Sequence, residues 1–327
     1  MTIENAIIII NKTRLEQLIL RFNTHAQTKF YIEQSGGDFT DYETEHYQFK
    51  KALEEVQNTI SKYLKYKIVT REFLPNFIFS QKDMIVVVGQ DGLVANTAKY
   101  AKNCPILAIN PDRSRFDGIL LPFDLFTFEI GLQKLLEEKA SFKLVTMAEA
   151  SLNNGQKLLA FNDFFIGPSS HISARYKISH QTKTESHSSS GIIISTGAGS
   201  TGWISSLLNM SNGIKNTFSN SKGNTSVKMS WSENKLVFMV REPFKSKYSQ
   251  TEITAGYITN KSRLRVESLM PANGIVFSDG IEKDYLHFNA GAIVEIGLAS
   301  QKAMIIENTE IFKKKTSQKF SSFKSKK

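Results

Sequence analysis

The chain has 327 residues, 41% of them hydrophobic and 11% aromatic, which is enough to bury a sizeable core and excludes disorder as the main state. At about 150 residues per domain, the length suggests two domains or one large one. The formal charge of +10 would point toward a nucleic-acid partner, but seven of those charges are lysines in residues 313–327, and removing them leaves +3 on residues 1–312; no nucleic-acid partner is therefore expected.

Strands and helices alternate over the first 140 residues. Ala6–Ile10 is a β-branched run that reads as a buried strand, and residues 13–22 follow as an amphipathic helix with Leu15, Leu18 and Ile19 on one face. Residues 34–42 read as a loop. Phe49, Leu53, Val56, Ile60 and Leu64 then recur at helical spacing. Short strands are expected at 67–71, 84–88 and 106–110, with helices at 93–102 and 124–138. This order implies a parallel sheet covered on both faces.

The pattern changes near residue 140. Asn153-Asn154-Gly155 separates two apolar runs and is a strong hairpin turn. Further strands are expected at 174–180, 187–195, 235–241, 251–259, 263–270, 274–278, 284–288, 291–298 and 302–307. A single helix is expected over 200–210, then a polar loop over 211–232. The expected architecture is an N-terminal doubly wound α/β domain (1–139), a C-terminal mostly antiparallel β domain (140–307) and a basic, disordered tail (308–327). The single cysteine, Cys104, excludes an internal disulfide and indicates a reducing compartment. The apolar run at the N-terminus is too short for a signal peptide, and no stretch approaches the roughly 18 apolar residues of a membrane span. A cytoplasmic protein with no membrane partner is expected.

Three places carry chemistry. Gly89-Gln90-Asp91-Gly92 lies between the best buried strand and a helix, where open α/β sheets take ligands. Glycine N–H groups and a helix N-terminus suit phosphate. An acid among those donors suits proton abstraction from a hydroxyl nucleophile, or else Asp91 simply caps the helix. Residues 195–203 (STGAGSTGW) follow a second strand and open a helix. Their small residues admit a ligand to the backbone and Trp203 offers a stacking face; the alternative is a plain glycine-rich loop. It is no P-loop, because the GK[ST] ending is missing. Asn162-Asp163 interrupts an apolar strand, and such polar residues need partners, either a ligand diol or amide, or a neighbouring loop. His171, His180 and His187 lack metal-site spacing. Residues 35–39 (SGGDF) are similar to the cyclic-dinucleotide cyclase signature, but one short match carries no assignment.

Taken in order, INPDRSRFDGILLPF, FNDFFIGPSS, SSSGIIISTGAGSTGW, FMVREPF and VFSDG resemble the NAD kinase family, most closely its mitochondrial-type branch. The resemblance runs from about residue 80 to 307, and more loosely over residues 1–80. It implies transfer of the ATP γ-phosphoryl to the adenosine-ribose 2′-hydroxyl of NAD, giving NADP, at an active site between the two domains. Asp91 then becomes the general base, Gly89 and Gly92 approach phosphates, and Asn162 and Asp163 hold the dinucleotide. Thr201, Gly202, Trp203 and Ser206 line the base and carboxamide. Mg²⁺ accompanies ATP to neutralise the transferring phosphoryl, no protein metal ligand is assigned, and a homodimer or homotetramer is implied. The sequence departs from the family at Gln90 and Leu93, where GGDGT becomes GQDGL, at Ser190, where most relatives have Asp, and at Ser173, where an Arg is expected, Arg175 standing two residues on. Gln90 is expected to sit badly where a glycine belongs. These departures motivate an alternative, a catalytically impaired NAD(P)-binding protein. A lipid kinase of the diacylglycerol or sphingosine type shares the glycine-rich turn and is the other alternative.

Overall fold

The computed structural model of the chain describes residues 2–219 and 223–309, so the basic tail expected over 308–327 lies outside the described residues from 310 onward. The chain forms two compact units, residues 2–143 with 304–309, and Leu144–Ala303.

The first unit contains β1 (Asn5–Ile10), α1 (Arg14–Phe22), α2 (His25–Gln34), α3 (Phe39–Ile60), β2 (Lys65–Thr70), β3 (Asp83–Val88), α4 (Asp91–Tyr100), β4 (Pro105–Ile109) and α5 (Phe128–Leu136). The strands are parallel in the order β2-β1-β3-β4. Every residue of β3 and β4 is buried, as strands covered on both faces require. On one face Ile8, Val86 and Leu107 pack with Val56 and Ile60 of α3 and with Phe128 and Leu132 of α5. α4 lies against β3 with Val94 and Ala98 fully buried. β2 is the edge, and its exposed Lys65 and Lys67 discourage further pairing. From β1 the chain adds β2 on one side and β3 on the other. That reversal opens a crevice at the carboxyl ends of β1 and β3, the place where such sheets bind ligands.

Two local details differ from the sequence expectation. α2 was not anticipated. Residues 39–42 are the first turn of α3 rather than loop, because the Asp38 side chain caps the helix by accepting the Thr40 N–H at 2.9 Å. The cyclase-like segment is thus a helix entry.

The second unit comprises most of β5 (Phe142–Leu152), then β6 (Lys157–Ala160), β7 (Asp163–Pro168), β8 (Ala174–His180), β9 (Lys183–Ser189), β10 (Ile192–Ser195), α6 (Trp203–Phe218), β11 (Leu236–Val240), β12 (Ala255–Ile258), β13 (Leu264–Ser268), β14 (Gly274–Ser278), β15 (Ile281–His287) and most of β16 (Ile293–Ile306). One antiparallel sheet runs β12-β11-β10-β7-β14-β15. β16, β13, β8 and β9 pair antiparallel in a second layer. Phe164, Ile194 and Val276 from the first layer share a core with Tyr176, Val266 and Ile296 from the second. The alternate residues Phe165, Ile193 and Val237 face the other way and are packed with Ile204 and Leu208 of α6.

Here too there are corrections. The strand expected over 187–195 is two strands, broken at Gly191, whose φ is 103°; a Cβ there would stand 2.8 Å from the Ile166 carbonyl oxygen. The segments 291–298 and 302–307 are one strand, β16. Its last residues leave the β unit, because Met304 and Ile305 pair parallel with Pro105 and Ile106 of the first unit. The helix expected over 200–210 extends to Phe218, so the loop expected from 211 begins later.

Candidate functional site

In the first unit, the loops after β1, β3 and β4 line a cavity of about 300 Å³ at the reversal of strand order, with Lys12, Arg71, Gly89, Gly92 and Arg115 among its walls. β3 ends at Val88 and α4 begins at Asp91, so Gly89 and Gln90 alone make the turn. Gln90 is the N-cap and gives no side-chain cap. Its φ of −110° and ψ of 164° are ordinary extended backbone, which corrects the expectation that a missing glycine would strain this turn. Gly89 is the tight position: a Cβ there would stand 3.0 Å from Leu93 Cδ2. Leu93 is buried and fills space beneath the turn.

Asp91 is the first residue of α4 and does not cap its own helix. Its Oδ1 accepts the Leu120 N–H at 2.7 Å, while Oδ2 has no protein donor among the described residues. The chain around Leu120 is itself organised from β4. Asn110 Nδ2 donates to the Phe116 carbonyl at 2.9 Å, its Oδ1 accepts the Asp112 N–H at 3.0 Å, and Leu121 N–H donates to Gly118 O. The segment INPDRSRFDGILLPF thus orients the Asp91 carboxylate.

The cations at this cavity are mostly matched. Lys12 meets Glu72 at 2.8 Å, Arg14 pairs with Asp41 and Glu45, and Arg115 pairs with Asp41 and Asp112. The hydrogen bond from Arg115, then that from Arg14, holds the Asp41 carboxyl down at about 2. Arg71 is the lining cation with no carboxylate partner among the described residues.

In the second unit, Phe161, Asn162 and Asp163 form the corner where β6 turns into β7. Asn162 gives its carbonyl to the Thr196 N–H at 2.9 Å, and Thr196 Oγ1 donates to the Phe161 carbonyl at 2.6 Å. The corner is thereby tied to the glycine-rich loop. The side chains of Asn162 and Asp163 are half-buried and make no hydrogen bond to protein among the described residues. Burial first, and the charge of Asp279 second, push the Asp163 carboxyl up to about 7.

The glycines of the loop are dictated by neighbouring backbone. A Cβ on Gly197 would fall 2.0 Å from the Ser230 carbonyl oxygen, and one on Gly199 would fall 2.2 Å from that of Asn162. Thr201, Gly202 and Ser206 are exposed around the start of α6. Trp203 is half-buried. Its ring stacks on Phe165 (centroids 5.9 Å, 7° between planes), with the Arg241 guanidinium 5.7 Å from its centroid. It lines an open cavity of about 850 Å³ with Phe165, Ser190, Arg241, Tyr285 and His287. The structure therefore groups Asn162 and Asp163 with the loop backbone, and sets Trp203 on a separate wall. Ser173 also lines that cavity, while Arg175 is exposed on β8.

Asp279 lies within VFSDG, and the sequence assigns it no role. Its function is to bond backbone, which residue type and spacing do not announce. Among the described residues no group of three or more His, Cys, Asp or Glu could hold a metal ion, and no helix is long and apolar enough to cross a membrane.

An α/β unit with a crevice at its switch point and a β unit with a polar corner beside a glycine-rich loop make up a chain with the fold of NAD kinases. No protein-family model matches the chain. It is 27% identical over 159 residues to NAD kinases of Saccharolobus islandicus strains M.14.25 and M.16.27, a match covering 48% of this chain and 56% of theirs. The match thus spans little more than half the length of those relatives. The crystal structure of yeast NADH kinase complexed with NADH superposes with a TM-score of 0.58 at 15% identity, covering 95% of this chain and 85% of that one. An NAD kinase from Archaeoglobus fulgidus in complex with ATP gives 0.54 at 18% identity, covering 95% and 96%.

Proposed function

We propose that the chain is an NAD kinase, transferring the γ-phosphoryl of ATP to the 2′-hydroxyl of the adenosine ribose of NAD to give NADP and ADP. The observation that carries this reading is Asp91: one carboxylate oxygen is fixed by the Leu120 N–H, and the other has no protein donor among the described residues. That free oxygen accepts the proton of the 2′-hydroxyl as the hydroxyl oxygen attacks the γ-phosphorus and the bond to ADP breaks. Gly89, Gly92 and the unmatched Arg71 bind phosphate oxygens. Asn162 and Asp163, whose side chains make no hydrogen bond to protein among the described residues, hold the dinucleotide, and Thr201, Gly202, Trp203 and Ser206 contact its base and carboxamide ends. Mg²⁺ would arrive on ATP, held mainly by phosphate and water as this ion prefers, and would neutralise the transferring phosphoryl.

The finer parts of the reading rest on sequence. Ser190 before Gly191 and the FMVREPF stretch support the mitochondrial-type branch, the single buried Cys104 supports a reducing compartment such as the cytoplasm, and a homo-oligomer follows from the resemblance. A second reading, a dinucleotide binder without turnover, is favoured by Leu93, a buried apolar side chain where the family pattern has a hydroxyl. One experiment separates them: NADP formation from NAD, ATP and Mg²⁺ by purified protein, with Asp91→Asn alongside. A kinase forms NADP and loses about 10²–10⁴-fold in kcat on substitution. Binding of NAD without any NADP supports the silent binder, and equal activity of the two proteins removes Asp91 from the chemistry.

A further inference from the structure

Asp279 lies in the turn from β14 to β15. Its carboxylate accepts three successive backbone N–H groups, those of Phe161 at 3.0 Å, Asn162 at 2.6 Å and Asp163 at 3.3 Å. In return its own N–H donates to the Asp163 carbonyl at 3.0 Å. Three consecutive donors converging on one anion form a backbone nest. The residue holds φ at 53°, a region that Asp, Asn and Gly enter more readily than other residues. Removing the acceptor would leave three N–H groups without a partner at a half-buried corner, which is costly. The register adds to the constraint, since Ser278 of β14 lies opposite Phe164 of β7.

We propose that Asp279 is the positioning residue of the dinucleotide site: its ionised carboxylate fixes the backbone from which the Asn162 and Asp163 side chains leave, and so sets how they meet the ligand. This rests on the NAD kinase reading above. It also assigns a charge state. Beside an anion, and largely out of water, the Asp163 carboxyl keeps its proton up to about pH 7, and in that form it donates a hydrogen bond to a ribose oxygen. Its cross-strand partner on β10, Ser195, carries no charge, on the β14 side it meets Asp279, whose N–H donates to its carbonyl, and residues 196–202 of the adjoining loop contain no titratable side chain. Asp279 is the charged group acting on Asp163 among the described residues.

The test is calorimetric binding of NAD across pH 5–9 to wild type, Asp279→Gly and Asp279→Asn, with steady-state kinetics of each. Glycine accepts the positive φ while deleting the carboxylate; asparagine keeps the shape and removes the charge. We expect Asp279→Gly to raise the Kd and KM for NAD about tenfold or more while kcat at saturation stays within about threefold. We expect wild-type affinity to fall above about pH 7 and the midpoint of that fall to move at least about one pH unit lower in Asp279→Asn. A merely structural residue would not move that midpoint. If Asp279→Gly does not fold, the asparagine pH profile decides. Wild-type NAD affinity and an unmoved midpoint in the variants overturn this proposal and leave the kinase reading intact. Absence of NAD binding to wild type overturns the kinase reading itself, and this one with it.

Discussion

A Cβ added at Gly92 in the first unit meets nothing within 4 Å, whereas one added at Gly199 in the second stands 2.2 Å from a backbone oxygen. Both glycines belong to motifs that the sequence marks as ligand loops. At Gly92 the chain leaves open space beside a cavity, and the proposed function places a phosphate there. At Gly199 and Gly197 the space is already filled by the chain, and the glycines answer to the Asn162 and Ser230 carbonyls. A glycine-rich motif can therefore mark a ligand, or mark a place where two backbones touch. The unit-2 loop holds the 161–163 corner, and in the proposed function it serves binding in that way.

That contrast can be broken most forcefully at Gly199. Gly199→Ala should destabilise the protein by on the order of 3–5 kcal/mol, read from urea unfolding, because neither backbone can move far enough to make room. A change below about 1 kcal/mol would show that the loop has slack.

Next in size is Asp163. Its folded value near 7 lies above that of an exposed carboxyl, so between about pH 4 and 7 the native state binds more protons than the unfolded state. Stability from this group is therefore full at low pH and is lost as pH rises toward 7. Asp163→Asn should raise stability at pH 8 by about 1–2 kcal/mol and change it little at pH 4, while weakening NAD binding. Equal effects at both pH values would remove the charge argument.

Gly92→Ala should alter stability by less than about 1 kcal/mol, toward stabilisation, since alanine suits a helix better than glycine. Its cost should appear instead in KM for ATP. The smallest effect belongs to Gln90→Gly. The backbone there is extended and unstrained, so restoring the family glycine should give no gain in stability and a loss of at most about 1 kcal/mol.

Much of the first unit is legible in the sequence because its physics is local. β-branched runs such as Met84–Val88 cannot be placed anywhere but in a buried sheet, and helical spacing from Phe49 to Leu64 is hard to misread. α2 escapes because His25–Gln34 carries few apolar residues and is started by a Thr24 cap. The end of α6 escapes because Ser211, Asn212 and Gly213 favour a loop in isolation, and Asn212 Nδ2 is anchored to the Thr225 carbonyl. Of the site, the side chains that touch ligand in the proposed reaction stand out by type. Asp279 and Leu120 do not, since they act through backbone bonds that only the folded chain brings together. The Gln90 substitution misled in the opposite direction: the motif predicts a strained glycine, and the dihedral angles remove the need for one.

The central claim is phosphoryl transfer to one particular hydroxyl, directed by Asp91. The most direct measurement is ³¹P NMR of the product formed from NAD and ATP with Mg²⁺ by wild type and by Asp91→Asn. The account expects a new phosphomonoester on the 2′ position of the adenosine ribose in the first sample and a loss of about 10²–10⁴-fold in its rate in the second. Phosphate on any other position, or equal rates in the two samples, would contradict it.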